Sequence, residues 1–354
     1  GVGEASGMFP IDSGTMQFHQ GMMGQFDSLL EEKGIPWKLS DILPQVLCAG
    51  EDGGSLTPEG AKLLDPTGTL EPGALLCPPE GDAGTGMAAT NSVGVRTGNV
   101  SAGTSVFAMV VLERPLSKVY PEIDLVTTPD GRPVAMVHVN TCTSDLDAWV
   151  GMFGQLLEAA GTKLSKSQLY ELLYRQALSG EPDCGGLVSF NCYSGEPVTG
   201  LEEGRPLFVR SPEAKLTLGN FMRAQLYAAM ATLSIGMDLL WKEGVTVEKL
   251  YGHGGLFKTK GVGQKLLAGA LGVPVAVMET AGEGGPWGMA LLAAYRKDRQ
   301  GEETLPDFLE NHVFAGAAGE QVSPSLEDQE GFGRYIARYK QALAVEKAAG
   351  EALQ

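Results

Sequence analysis

Three glycine-rich turns carry the residue types that could handle a phosphate: GDAGTG at 81–86, SAGTS at 101–105 and GHGG at 252–255. Glycine lets backbone approach a ligand closely or adopt positive φ, and turns of this kind present N–H groups to an anion. A helix starting at the turn adds the positive end of its dipole. One such turn is ordinary in an α/β protein. Three together, two carrying hydroxyls and one a lone carboxylate, point to a nucleotide site served by a single general base. That carboxylate is Asp82; read on its own, Gly81-Asp82 is equally a turn-forming pair.

Familiar alternatives are missing. The chain has no GxxxxGK[ST], no GxGxxG after a strand, no GxSxG and no HExxH. His253, flanked by glycines, reads as a loop-filling residue, and Lys258 reads either as a phosphate partner or as a surface lysine.

The bulk properties narrow the partners. The 354 residues carry a net charge of −17, a field that repels nucleic acid and anionic membranes, so a bound phosphate would be held locally by backbone and a metal. Five cysteines without a CxxC pair suit reduced thiols in the cytoplasm. No apolar run nears the ~20 residues of a membrane helix. A homodimer is the default assembly for such an enzyme.

The elements that must position the turns follow from periodicity. SVFAMVVLE at 105–113 and PVAMVHVN at 133–140 are short β-branched runs that read as buried strands. TSDLDAWVGMFGQLLEAAG at 143–161 reads as a helix burying Leu146, Trp149, Phe153, Leu156 and Leu157, with Ser144 and Asp147 as a capping box and Gly161 as its stop. Residues 17–35 suggest a shorter helix, 216–244 a long one with methionines in its packing face, and 325–352 a terminal helix whose charges form a solvated face. The segment from 250 to 298 alternates strand, glycine turn and helix twice, the grammar of an α/β domain with ligands at strand ends.

At this point the chain resembles the FGGY carbohydrate kinases of the actin/hexokinase superfamily. EGDAGTGMAA at 80–89 is similar to the family's GDxxAA segment, NVSAGTSVF at 99–107 to its GTSG turn, and GHGGLFKTKGVGQKLLAGALGVPV at 252–275 to its GGGA turn and helix. GEGGPWGMALLAA at 282–294 matches the closing ExxALGAALLAA, and RAQLYAAM at 223–230 falls where a RAxxEGxAF helix is usual. His253 and Leu256 depart from GGGA, and Val106 replaces the last glycine of GTSG.

The resemblance implies an actin-like, ribonuclease H-like α/β ATPase fold. It places residues 1–95 at the end of a first, sugar-binding domain and 96–354 in a second, nucleotide-binding domain. It implies an N-terminally incomplete kinase, in which neither the opening DxGT hairpin of those enzymes nor their sugar pocket is expected. Asp82 becomes the general base toward a sugar hydroxyl, with xylulose or ribulose as leading substrates. Gly103, Thr104 and Ser105 would face the phosphates of ATP, Gly254 and Gly255 its α-phosphate and ribose, and Lys258 a phosphate, with Mg²⁺ bridging. A non-catalytic relative that only binds sugar or nucleotide, or an actin-like ATPase, would share the fold.

Overall fold

The structure, a computed structural model, describes residues 1–278, 284–317 and 319–353. Short elements joined by turn-rich loops fill the first 95. α1 (Val2–Met8) and a ribbon of β1 (Ile11–Asp12) with β2 (Gln17–Phe18) bury Val2, Ala5 and Phe18 together with Val46. α2 spans Gln20–Glu32, less than the 17–35 stretch expected, because Gln17 and Phe18 pair with β1 and His19 caps the helix, its Nδ1 accepting from the Met22 amide at 3.2 Å. α3 (Leu39–Ile42) and α4 (Pro58–Leu64) follow, and α5 (Asp82–Ala89) opens at the GDAGTG turn.

The turn between β1 and β2 corrects one expectation, for it spells DSGT at residues 12–15. Asp12 is turned back on its own loop: Oδ1 accepts from the amides of Gly14 and Thr15, each at 2.9 Å, and these bonds hold its carboxyl below the usual carboxylate value. The residues therefore form an Asx-type turn that closes a two-residue ribbon.

From Thr97 the chain builds its main sheet. The strands are β3 (Thr97–Ala102), β4 (Val106–Val111), β5 (Asp124–Thr127) and β6 (Pro133–Val139). Then come α6 (Ser144–Ala159), α7 (Lys166–Ala177), a ribbon of β7 (Val188–Phe190) with β8 (Leu207–Val209), and α8 (Leu218–Lys242). The rest of the chain gives β9 (Lys249–Gly254), α9 (Val262–Leu271), β10 (Val275–Val277), α10 (Gly284–Asp298), α11 (Leu305–Phe308), β11 (Glu320–Val322) and α12 (Leu326–Ala352).

Seven strands lie in the order β11-β10-β9-β3-β4-β6-β5. β3, β4, β6 and β5 pair antiparallel; β9 then joins the free side of β3 in parallel, and β10 joins β9. This mixed α/β sheet is buried on both faces, which explains its near-continuous apolar strands. Side chains alternate between faces. Val106, Ala108 and Val110 point with Ala135, Val137 and Val139 toward α8, α9 and α12. Met109, Val111 and Val134 point the other way, into a core shared with Met87 and Ala88 of α5, Leu291, Leu292 and Tyr295 of α10, and Phe308 of α11. This second core draws on both sides of residue 95.

α8 is buried without interruption from Gly219 to Ser234, its buried polar residues Asn220, Arg223 and Gln225 included, and Met222, Met230 and Met237 are packing residues. α12 lies against it, and here the solvated-face expectation fails in part. Asp328 and Glu346 are buried: Asp328 pairs with Arg223 of α8, and Glu346 accepts from the Arg205 amide at 2.7 Å. α6 also differs in detail. Leu146 and Val150 are its buried apolar residues, Asp145 is buried beside them, Trp149, Phe153 and Leu157 pack partly, and Leu156 faces solvent. Gly161, at φ +82°, does end the turn. No helix among the described residues is long and apolar enough to cross a membrane.

Candidate active site

Ala102 pairs with Val106, so Gly103, Thr104 and Ser105 make up the whole β3–β4 turn, closed by the Gly103 amide donating to the Ser105 carbonyl at 2.9 Å. The turn is tied from behind by the loop entering α6. The Thr143 hydroxyl donates to the Gly103 carbonyl at 2.7 Å, and the Cys142 amide to that of Thr104 at 2.7 Å. The expected Ser144–Asp147 capping box is therefore absent: the N-cap is Thr143, and its hydroxyl is spent on Gly103. The Gly103 and Thr104 carbonyls are thus held, while the amides of Thr104 and Ser105 find no acceptor among the described residues.

That loop is itself wired from the β7 side. The Asn191 amide group donates to the Cys142 carbonyl at 2.9 Å, and the Glu196 carboxylate accepts from the Asn140 amide at 3.0 and 3.1 Å. Burial pushes the Glu196 carboxyl up to about 6. A raised carboxyl favours folding fully below its unfolded value and loses that contribution as pH rises through the folded value. The stability difference between wild type and Glu196→Gln should accordingly shift by about 2 kcal/mol in favour of the variant between pH 4 and pH 8. Urea titrations at the two pH values measure it; a constant difference would contradict the assignment.

The third turn is set by the parallel pairing of β9 with β3, which brings Gly254 level with Ala102. A Cβ on Gly254 would run into the Ala102 carbonyl oxygen, and its φ of +97° lies where only glycine is unstrained. Gly255 then begins a single 3₁₀ turn, Gly255–Phe257, that leads to Lys258 and α9. His253 stands one residue earlier in the strand, level with Ser101; burial lowers its pKa, and its Nε2 has no hydrogen-bond partner among the described residues.

Gly103, Thr104, Gly255 and Lys258 line one cleft of about 620 Å³, with Thr259 beside them. α6 and α7 supply the remaining lining: Thr143 and Asp147 from the first, Lys166, Ser167, Tyr170, Glu171 and Tyr174 from the second. Ser105, in the hairpin turn, and Gly254, at the end of β9, are not among the lining residues. Asp82 is placed elsewhere: it is the first residue of α5, exposed, with Gly81 as N-cap. α5 is pressed onto α10, where a Cβ on Gly288 would strike the Thr85 carbonyl. Glu80, two residues before Asp82, is pushed up in pKa by burial although the Gly3 amide donates to it at 3.1 Å. Gly282 and Glu283 of the closing GEGGPWG segment lie outside the described residues. Among the described residues, no three His, Cys, Asp or Glu side chains gather as a metal site.

Residues 98–296 match the family described as FGGY family of carbohydrate kinases, C-terminal domain, which is more than half of the chain. The chain belongs to the FGGY carbohydrate kinases. Its fold is that of solved members of this kind. A gluconate kinase from Lactobacillus acidophilus superposes with a TM-score of 0.72 at 16% identity, covering 96% of this chain and 63% of that one. A xylulose kinase from the same organism gives 0.71 at 16%, covering 92% and 61%. The glycerol kinase of Plasmodium falciparum with ADP gives 0.67 at 14%, covering 95% and 61%. The FGGY chain thus spans about three-fifths of the length of these structures. No curated protein matches it. These likenesses bear out the actin-like α/β fold.

Sequence reasoning overlooked the α6–α7 side of the cleft. Asp147 was assigned to a cap, and Lys166, Tyr170 and Glu171 belong to a polar amphipathic helix whose pattern carries no ligand signal. Asn191 had one faint mark, a polar residue directly after the buried run LVSF; Glu196, six residues past that run, had none.

Proposed function

We propose that this FGGY chain belongs to an ATP-dependent kinase for a sugar or polyol hydroxyl, with a ketopentose such as xylulose or ribulose as leading substrate and Asp82 as general base. The observation that carries the reading is the cleft, where two glycine turns on adjacent strands bring free amides, the Thr104 hydroxyl and Lys258 to one place.

Phosphoryl transfer asks little covalent chemistry of a protein, since positioning and charge stabilisation supply most of the acceleration. The Thr104 and Ser105 amides and hydroxyls receive the terminal phosphate. Gly255, with no side chain to stand off the ligand, lets backbone lie along the α-phosphate, and Lys258 offers a cation. The Asp82 carboxylate takes the proton of the sugar hydroxyl as that oxygen attacks the γ-phosphorus, whose bond to the β–γ bridging oxygen breaks to release ADP. Mg²⁺ would accompany the phosphates held at Thr104 and Ser105 and would supply charge neutralisation there. The two-domain division at 95/96 belongs to the same reading, supported by a family match that begins at residue 98. Five free thiols favour a reducing, cytoplasmic setting.

The test is ADP release by the full reading frame with xylulose, ribulose, gluconate and glycerol offered separately. Sugar-stimulated release supports a kinase and names its substrate. An equal rate with and without every sugar would replace this reading with an ATPase.

A further inference from the structure

We propose that Glu196 is a positioning residue for the β3–β4 turn: its ionised carboxylate fixes residues 140–142, these set the pose of Gly103, Thr104 and Ser105, and anion binding at that turn therefore requires Glu196 to be charged. The proposal rests on the reading of the turn as a phosphate holder and adds the residue that sets its pose.

Strand pairing stops short of the turn. The last register pairs are Ala102 with Val106 and Val106 with Val139. Beyond them, among the described residues, the turn is held from outside through its carbonyls alone. That of Gly103 accepts from the Thr143 amide at 3.2 Å and hydroxyl at 2.7 Å, and that of Thr104 from the Cys142 amide at 2.7 Å. The pose of the Thr104 and Ser105 amides thus follows residues 142 and 143. Two buried side chains from the loop after β7 hold that segment in turn. Asn191 donates to the Thr141 and Cys142 carbonyls at 3.3 and 2.9 Å. Glu196 accepts from the Asn140 amide with both oxygens, at 3.0 and 3.1 Å, and the Thr141 amide is a further donor. Glu196 is itself clamped, since it and Leu201 exchange backbone hydrogen bonds at 2.7 and 3.2 Å.

Amide donors on both oxygens suit an ionised carboxylate and nothing else. A glutamine, or a protonated glutamate, turns one of the two atoms into a donor that faces another donor. Yet charge is unfavourable at this position: Glu196 is 1% exposed, burial opposes its ionisation, and no cation among the described residues relieves it. Around it stand the Cys192 thiol and the Tyr339 phenol, both pushed up by burial and uncharged, with Glu346 of α12 and Asp145 of α6 as further carboxylates near Cys192. The segment after β6 offers backbone amides, and α8 faces this loop with Gly236, close to Val198. A side chain whose charge works against folding, and whose carboxylate is bonded only to the segment behind the turn, has its use in that turn.

Sulfate binding to the 354-residue chain, read from the amide resonances of Thr104 and Ser105 across the range about pH 5 to 8, tests this, with ADP run in parallel. Sulfate keeps its full charge throughout, and a chain of net charge −17 grows more negative as pH rises, so a site governed by charge alone binds it less well. Positioning by Glu196 reverses that slope. A group that titrates at about 6 and must be ionised gives a rise of about tenfold from about pH 5 to pH 7. Glu196→Gln should bind sulfate about tenfold more weakly than wild type at neutral pH and lose the rise. Over the same interval the stability difference described above moves the opposite way, in favour of the variant, a divergence that a merely structural glutamate does not produce. If ADP alone moves the resonances, the ratio of wild-type to E196Q affinity for ADP, in which the ligand's own titration cancels, carries the same test. A wild-type sulfate affinity that is flat or falls with pH overturns the proposal whether or not E196Q folds, and so does an E196Q that keeps the wild-type affinity or the rise. If neither sulfate nor ADP moves the two resonances, the phosphate reading of the turn itself falls.

Discussion

Replacing Asp82 with asparagine should lower sugar-dependent ADP release by about a thousandfold, within the range of a lost general base. Asparagine keeps the size of the side chain but cannot take a proton from an attacking hydroxyl. Asp82 is exposed at the start of α5, and Gly81, not Asp82, provides the N-cap, so the exchange leaves the helix intact. Asp82 also stands outside the lining of the cleft proposed to take the nucleotide, so ADP affinity should be unchanged. The combination is diagnostic: rate lost, nucleotide binding kept, melting temperature kept. D82N turning over at a tenth of the wild-type rate would remove Asp82 from the role of base.

Arg223→Ala should destabilise the fold by about 3–5 kcal/mol, since removing one member of a buried ion pair leaves the other charge unpaired. Arg223 and Asp328 are both buried where α8 meets α12; the guanidinium also donates to the Gly180 carbonyl at 3.0 Å and reaches the Tyr227 hydroxyl at 3.3 Å. Asp328 keeps a more distant cation, Lys265 at 3.6 Å, which places the loss toward the lower end. Burial works to raise the Asp328 pKa, but the Ser325 hydroxyl and Arg223 outweigh it and hold the carboxyl below its ordinary value. Depressed carboxyls contribute stability that is present above the unfolded pKa and lost as pH falls through the folded one. Wild type should therefore lose stability on acidification below about pH 4, and R223A should lose less. Urea denaturation at pH 7 and pH 3 reads both effects. A drop below 1 kcal/mol at pH 7 would show that the pair is idle.

The strands β4 and β6 were legible in VFAMVV and PVAMVHV because both faces of the sheet are largely buried, which makes their residues apolar apart from the exposed His138. β3 was not: TGNVSA holds a glycine, an asparagine and a serine, and it is a strand because β4 and β9 clasp it from both sides. Glycine spacing disclosed the turns of the cleft, since backbone approach demands glycine locally. Glu196, Asn191 and Thr143 could not be found that way. They act across 40 residues or more, Thr143 on Gly103 and Asn191 and Glu196 on the loop that carries it, through contacts that leave no periodic trace. DSGT shows the converse, a familiar spelling whose aspartate is consumed by its own turn.

The position of β3 at the centre of the sheet has a consequence for the growing polypeptide. One of its neighbours, β4, follows after a three-residue turn, while the other, β9, begins only at Lys249. Local hairpins close quickly, and distant pairings wait for loop-closure entropy to be overcome. A chain that has emerged only as far as α8 presents β3 with one edge unpaired, the situation that invites mispairing with other strands. The same nascent chain already contains Gly103 and Thr104 and does not yet contain Gly255 or Lys258. Closing the vulnerable edge and bringing together the two glycine turns of the cleft are thus a single event in its synthesis.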